Sequence, residues 1–237
     1  MKEQIHTIPV TDALKEPGEC AFCVMKAKLE GDAIQFIMGP AYMEDDVRMD
    51  TNKAGFCKRH LEAMYEAQNR LGLALMLHTH LQQLNKDAVG IAKTKKQSKL
   101  FGKDPDSVVA RMGRHFESVQ GTCYVCDKVD STFMRYIDTF LYIWDKDKDD
   151  AKLIKEQKGY CMPHFGMLLQ AASKLARGKR ERFTEEILPA QLKHMEILEA
   201  DLDWFTQKFD FRNADAPWKN SKDALPRALA FLGGGMI

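Results

Sequence analysis

The chain has 237 residues, 45% of them hydrophobic and 29% charged, with a formal net charge of +1. These proportions are those of a soluble globular protein, and the near-neutral balance excludes a global field that would draw it to nucleic acid or a membrane surface. No apolar stretch approaches the ~20 residues of a membrane span, and the amino terminus lacks the apolar core of a secretory signal, so the sequence predicts a cytoplasmic protein.

In chain order, His6-Thr-Ile-Pro-Val10 is the best strand candidate, and its proline limits it to an edge. Gly18-Glu-Cys-Ala-Phe-Cys23 follows, leading into a helical face of Met25, Leu29, Ala33 and Phe36. Asp45, Asp46 and Arg48 read as a helix cap or surface ion pairs. Gly55-Phe-Cys-Lys-Arg-His60 opens a long helix expected from Cys57 to about Asn85, with Leu61, Met64, Tyr65, Leu71, Leu75 and Leu84 on it and Gly72 weakening its middle. Residues 90–103 read as a connection, and Asp104-Pro105 as the start of a short helix through Phe116.

The pattern then returns. Gly121-Thr-Cys-Tyr-Val-Cys126 precedes a helical face of Val129, Phe133, Tyr136, Phe140 and Trp144. Gly159-Tyr-Cys-Met-Pro-His164 starts a helix expected to end near Gly178. Another is expected from Thr184, with Leu188, Leu192, Met195, Leu198, Leu202, Phe205 and Phe209 buried and Pro189 kinking its first turns. From Asn213 onward a tail is expected to dock through Trp218, Leu225, Leu229 and Leu232.

All six cysteines belong to this repeat. Beyond the ligand-type residues, Leu29, Ala33, Phe36 and Ile37 align with Phe133, Ile137, Phe140 and Leu141, and Asp45, Asp46 and Arg48 with Asp149, Asp150 and Lys152. The sequence therefore predicts an all-α protein of two pseudo-repeated helical halves: residues 1–90, residues 104–210, and a tail over 211–237. Each half is expected to be clipped by its own Cys3His zinc site, Cys20, Cys23, Cys57 and His60 in the first and Cys123, Cys126, Cys161 and His164 in the second, giving two zinc ions per chain. Four ligands per ion leave no open position, so a structural role is expected and a catalytic one is not. Two other readings compete. Each Cys-x-x-Cys can act as a redox dithiol, and buried free thiols can simply fill space.

Glu62 and Glu66 read as solvated helix charges, and His78, His80, His115 and His194 as surface or core histidines. Two basic runs, Lys93, Lys95, Lys96, Lys99, Lys103 and Lys174, Arg177, Lys179, Arg180, Arg182, read as solvated segments, with phosphate contact as the weaker alternative. No phosphate loop, dinucleotide fingerprint or nucleophile elbow is present.

The Gly-x-Cys-x-x-Cys motif, Asp45-Asp-Val-Arg48, Asn52-Lys-Ala-Gly-Phe-Cys57-Lys-Arg-His60 and Pro217-Trp218…Asp223-Ala-Leu-Pro-Arg227 resemble a bacterial family of unknown function, over nearly the whole chain. The resemblance implies a cytoplasmic bacterial protein and transfers no catalytic residue. The sequence thus points to a non-enzymatic binding or regulatory protein with an unidentified protein partner. A thiol-based sensor or oxidoreductase is the alternative, and nucleic-acid binding through the basic runs a weaker one.

Overall fold

Helical periodicity dominates the chain, and the structure, a computed structural model describing residues 5–18, 20–94 and 107–235, is all-α. Its described residues form eleven α-helices, two 3-10 turns and no strand. The helices are α1 (Thr7–Lys15), α2 (Ala21–Met38), α3 (Asp45–Ala54), α4 (Lys58–Glu66), α5 (Arg70–Lys93), α6 (Val108–Gln120), α7 (Tyr124–Lys146), α8 (Ala151–Lys155), α9 (Met162–Ala172), α10 (Arg177–Gln207) and α11 (Ala224–Gly233). None of the described helices is long and apolar enough to cross a membrane. Lys95, Lys96, Lys99, Lys103 and the Asp104-Pro105 start lie outside the described residues. The helix that the latter was to open is α6, capped by Ser107, whose side chain accepts from Ala110 N–H.

The chain divides into two compact units, Met1–Lys28 with Thr132–Ile237, and Leu29–Ser131. The divisions fall within α2 and α7, whereas the expected boundaries 1–90 and 104–210 rest on the expected repeat along the sequence.

In the first unit the apolar face of α7 was legible. Phe133, Ile137 and Phe140 have no exposed surface, and Phe22 sits among them with its ring 5.1 Å from Phe140 and 5.2 Å from Tyr160. The expected edge strand over His6–Val10 is instead the beginning of α1, which buries Val10, Ala13 and Leu14. Pro9 falls in the first helical turn, where the missing N–H has no intrahelical partner to lose. Helix α10 starts seven residues before Thr184 and continues through Pro189. It buries Phe183, Ile187, Gln191, His194 and Leu198, while Leu192, Met195 and Phe209 are exposed. The tail docks through α11, but by Ala224, Ala228 and Phe231, with Phe231 and Ala228 against Leu198 and Leu202. Leu225, Leu229 and Leu232 face outward. Trp218 packs on Phe205, and its backbone neighbour Pro217 accepts from the Trp204 indole.

In the second unit a core of Ile37, Val47, Met64, Leu73, Met76, Val125 and Val129 lies between α3, α4, α5 and the adjoining parts of α2 and α7. The single helix expected from Cys57 to Asn85 is broken into α4 and α5. Gln68 adopts φ 65°, and Asn69 caps α5 by accepting from Gly72 N–H while donating to Met38 O at 2.7 Å. Asp45 and Asp46 fill the first turn of α3, where the helix dipole favours anions. Arg48 is not a surface partner for them. Its guanidinium reaches Leu75 O and Thr79 Oγ1 on α5 at 3.2 and 3.1 Å, tying the two helices together.

Candidate metal centres

Each Cys-x-x-Cys and Cys-x-x-His pair sits at a helix start. Cys20 immediately precedes α2, and its carbonyl accepts from Cys23 N–H at 3.0 Å. Cys123 immediately precedes α7 in the same way, its carbonyl accepting from Asp127 N–H. Cys57 and Cys161 are the N-caps of α4 and α9, whose third residues are His60 and His164. This placement puts both side chains of a pair on one side of the helix end. It also directs them into the positive end of the helix dipole, which favours thiolate over thiol.

The eight side chains converge on two points. Cys20, Cys23, Cys161 and His164 form one cluster, and Cys57, His60, Cys123 and Cys126 the other, with the donor atoms of each within 4.8 Å of one another. Each cluster lies wholly within one compact unit. In the first, His164 Nδ1 is 3.1 Å from Cys161 Sγ, 3.4 Å from Cys23 Sγ and 3.8 Å from Cys20 Sγ, and Cys23 and Cys161 sulfurs are 3.6 Å apart. In the second, His60 Nδ1 is 3.2, 3.3 and 3.4 Å from the sulfurs of Cys123, Cys57 and Cys126, and Cys57 and Cys126 are 3.9 Å apart. A tetrahedral ion with metal–sulfur bonds of about 2.3 Å and metal–nitrogen bonds of about 2.0 Å requires edges of about 3.8 Å between sulfurs and about 3.5 Å from sulfur to nitrogen. The donor sets fit such an ion.

This partition corrects the expected one. Cys20 and Cys23 join Cys161 and His164, and Cys123 and Cys126 join Cys57 and His60. Neighbouring pairs along the chain do not share a centre. The entropy that favours the nearer partner is small: closing the longer span from Cys23 to Cys161 rather than to Cys57 costs only about 1 kcal/mol more, because loop entropy grows logarithmically. The packing of helix ends decides instead.

The protonation pattern shows what the donors lack by themselves. Hydrogen bonds from Cys161 and Cys20 hold Cys23 far below the usual thiol range against its burial, helped by His164 and the Gly235 N–H. Hydrogen bonds with Cys161 and Cys23, together with burial, push Cys20 far above it. Burial would lower His164, but Cys161 and Cys23 bring it up to about 9. In the second cluster burial and then Cys123 and Cys57 push Cys126 up to about 12. Cys57 is lowered although burial opposes it, by hydrogen bonds from His60, Cys123 and Cys126 and the Arg59 charge. Burial and Arg59 lower His60 against the pull of Glu30. Three sulfurs in so small a volume cannot all ionise while only side chains compensate them, and a divalent cation removes that conflict.

The glycine before each aromatic-Cys pair marks a close approach. A Cβ on Gly55, whose φ is +61°, would lie 2.8 Å from His80 Nε2, and one on Gly159 would lie 2.8 Å from Cβ and Cγ of His194. His80 Nδ1 donates to Asn52 O at 2.8 Å, and the buried His194 packs on Phe231 at 5.6 Å between ring centres. Neither these histidines nor His115 or His78 joins a cluster. Glu62 is exposed and faces Lys58 at 3.8 Å. In the second basic run Lys179 and Arg182 both hold Asp145 at 2.7 Å, Arg177 pairs with Glu181, and Arg180 donates to Ser173 O. Sequence reading missed two neighbours of the clusters. Glu30 Oε1 lies 3.5 Å from His60 Nε2, and the Gly235 N–H donates to Cys23 Sγ at 3.2 Å. Neither carries a local motif, because both reach the sites only through the fold.

No curated protein and no solved structure matches the chain. A family model matches residues 1–237, and on these grounds the chain belongs to the family of unknown function DUF6062.

Proposed function

We propose that this is a zinc protein with two structural Cys3His centres, built from two copies of one helical unit, that works by binding or regulating a partner and performs no catalysis. The observation that carries the reading is the pair of four-donor clusters, each with its donor atoms within 4.8 Å of one another. Three thiolates and one imidazole suit zinc better than a harder cation, and a fourth protein ligand fills the position that catalytic zinc keeps for water or substrate. The shared placement of Gly55 against His80 and of Gly159 against His194 supports common descent of the two copies, with their ligand pairs exchanged. Structural zinc contributes roughly 10–16 kcal/mol of apparent binding energy, comparable with the whole stability of a domain at about 5–15 kcal/mol. Each unit would therefore need its ion to stay folded, leaving exposed helical faces for a protein partner. Elemental analysis of the purified protein tests this: about two zinc per chain is expected, and none overturns it.

A thiol-based sensor is the second reading. It is favoured by Cys57 and Cys126, which are only half-buried and have sulfurs 3.9 Å apart. Mild peroxide would then release zinc from this cluster and join two of its cysteines. Thiolates that stay intact with zinc retained would remove that reading. Nucleic-acid binding is less supported, since Lys179 and Arg182 of the second basic run are held by Asp145.

A further inference from the structure

His60 directs Nδ1 at the three sulfurs of its cluster, which leaves Nε2 on the far side of the ring. That nitrogen is buried and makes no hydrogen bond. A carboxylate oxygen, Glu30 Oε1, lies 3.5 Å from it. Glu30 lies on α2 and is mostly shielded, with 23% of its side chain exposed. Its carboxylate does not turn freely. Arg59 Nη1 donates to Oε2 at 3.1 Å and Nη2 to Oε1. Arg59 is the residue before His60 on α4, so one helix start supplies both the ligand and the clamp on the carboxylate.

A buried donor without a partner costs about 1–3 kcal/mol, and an inward shift of a few tenths of an ångström would bring this one into hydrogen-bond range. Histidines that bind metal through one ring nitrogen commonly give the other proton to a carboxylate, which fixes the tautomer and strengthens the donor atom. We propose that Glu30 is the positioning residue of the second centre: it accepts the Nε2 proton of His60, so that Nδ1 carries the lone pair that binds zinc. The first centre has a different outer contact, the Gly235 N–H on Cys23, which withdraws charge from a sulfur instead of supplying it to an imidazole. The inference rests on the zinc reading above.

The test uses the full chain, zinc-loaded, with nitrogen-15 in its histidines. In the wild type the His60 Nε2 proton is expected to be visible and shifted downfield. It should move upfield in Glu30→Gln and be lost to exchange in Glu30→Ala. Chelator competition, with alkylation of the released cysteines read by mass spectrometry, should show zinc affinity at Cys57, Cys123 and Cys126 reduced about 10–100-fold and that at Cys20, Cys23 and Cys161 unchanged. If Glu30→Ala does not fold, Glu30→Gln decides by both readouts. Wild-type protein that binds no zinc overturns this inference together with the zinc reading. Zinc in the wild type, with the His60 proton and zinc retention the same in Glu30→Gln, overturns this inference alone.

Discussion

The two centres share donors and helix-start geometry but not surroundings. Around the first, Cys20, Cys23, Cys161 and His164 are 3–6% exposed, and the His164 ring is walled by Phe133 at 5.0 Å and Phe22 at 6.2 Å. Around the second, His60 and Cys123 are buried, but Cys57 and Cys126 remain half-exposed beside a methionine-rich core. The contrast separates two things that a ligand list merges. The donors set which ion fits; the packing around them sets how readily the ion or an electrophile comes and goes. The second centre should therefore lose metal first under chelator.

The largest effects come from breaking the pairing. Cys20→Ala should release one zinc and expose Cys23 and Cys161 to alkylation, leaving Cys57 protected. Had neighbouring pairs shared a site, Cys57 would be labelled instead. Alkylation mapped by mass spectrometry, with metal content alongside, reads the outcome directly. The same change should destabilise the first unit enough for limited proteolysis to cut it while the second unit survives, since the ion's contribution matches a domain's stability.

Core truncations rank next. Phe133→Ala removes a ring with no exposed surface that also contacts His164, and should cost about 3–5 kcal/mol. Met64→Ala removes a side chain with no exposed surface from the core of the second unit, for about 2–5 kcal/mol. Urea unfolding of each variant should show the loss confined to its own unit. Zinc loosened in the other centre by either truncation would mean that the two centres are not independent.

Gly55 and Gly159 sharpen the comparison at smaller cost. Ala at Gly55 meets both a positive φ and His80, while Ala at Gly159 meets only His194. Gly55→Ala should lose about 1–3 kcal/mol through backbone strain, with His80 yielding. At Gly159 the obstacle is the Cβ and Cγ of His194, close to its helix, so relief requires α10 to move. Denaturation midpoints and chelator release rates together tell strain from a displaced site.

How far the sequence could be read follows from how local each signal is. The cysteines and histidines of the two clusters stood out because a two-residue gap at a helix start is set by that turn alone. Which pairs meet was not legible, since the spans differ by about 1 kcal/mol in closure entropy. On α7 the buried face could be followed, for Val129, Phe133, Tyr136, Phe140 and Trp144 are all buried and apolar or aromatic. On α10 it was misphased by Gln191 and His194. Gln191 is buried because its amide answers both backbone groups of Tyr160, accepting from N at 2.8 Å and donating to O at 2.9 Å. A residue that satisfies its polarity this way reads as surface and behaves as core. On α11 the small side chains Ala224 and Ala228 face inward and the leucines outward, a reversal that residue hydrophobicity alone does not signal.

The smallest expected effect concerns the charges at the end of α7. Asp145 is 11% exposed and accepts from Lys179 Nζ and Arg182 Nη2, both at 2.7 Å, while the Arg182 guanidinium lies 4.2 Å from the Trp144 ring. Lys179 above all, then Arg182, brings the Asp145 carboxyl down to about 2 from 3.8. A lowered acid pKa stabilises the fold above the unfolded value of 3.8, and that contribution is lost as pH falls through about 2. Near pH 7 it is therefore fully present, and Asp145→Asn should cost about 1–2 kcal/mol, since the two cations each keep solvent to fall back on. The loss should shrink at high salt and leave both zinc ions in place, because the cluster lies at the far end of α7 from Cys123 and Cys126. Urea midpoints at neutral pH, at low and at high salt, measure it. A salt-independent loss would mean that Asp145 acts by packing beside Trp144, and the charge argument for this end of the helix would fall.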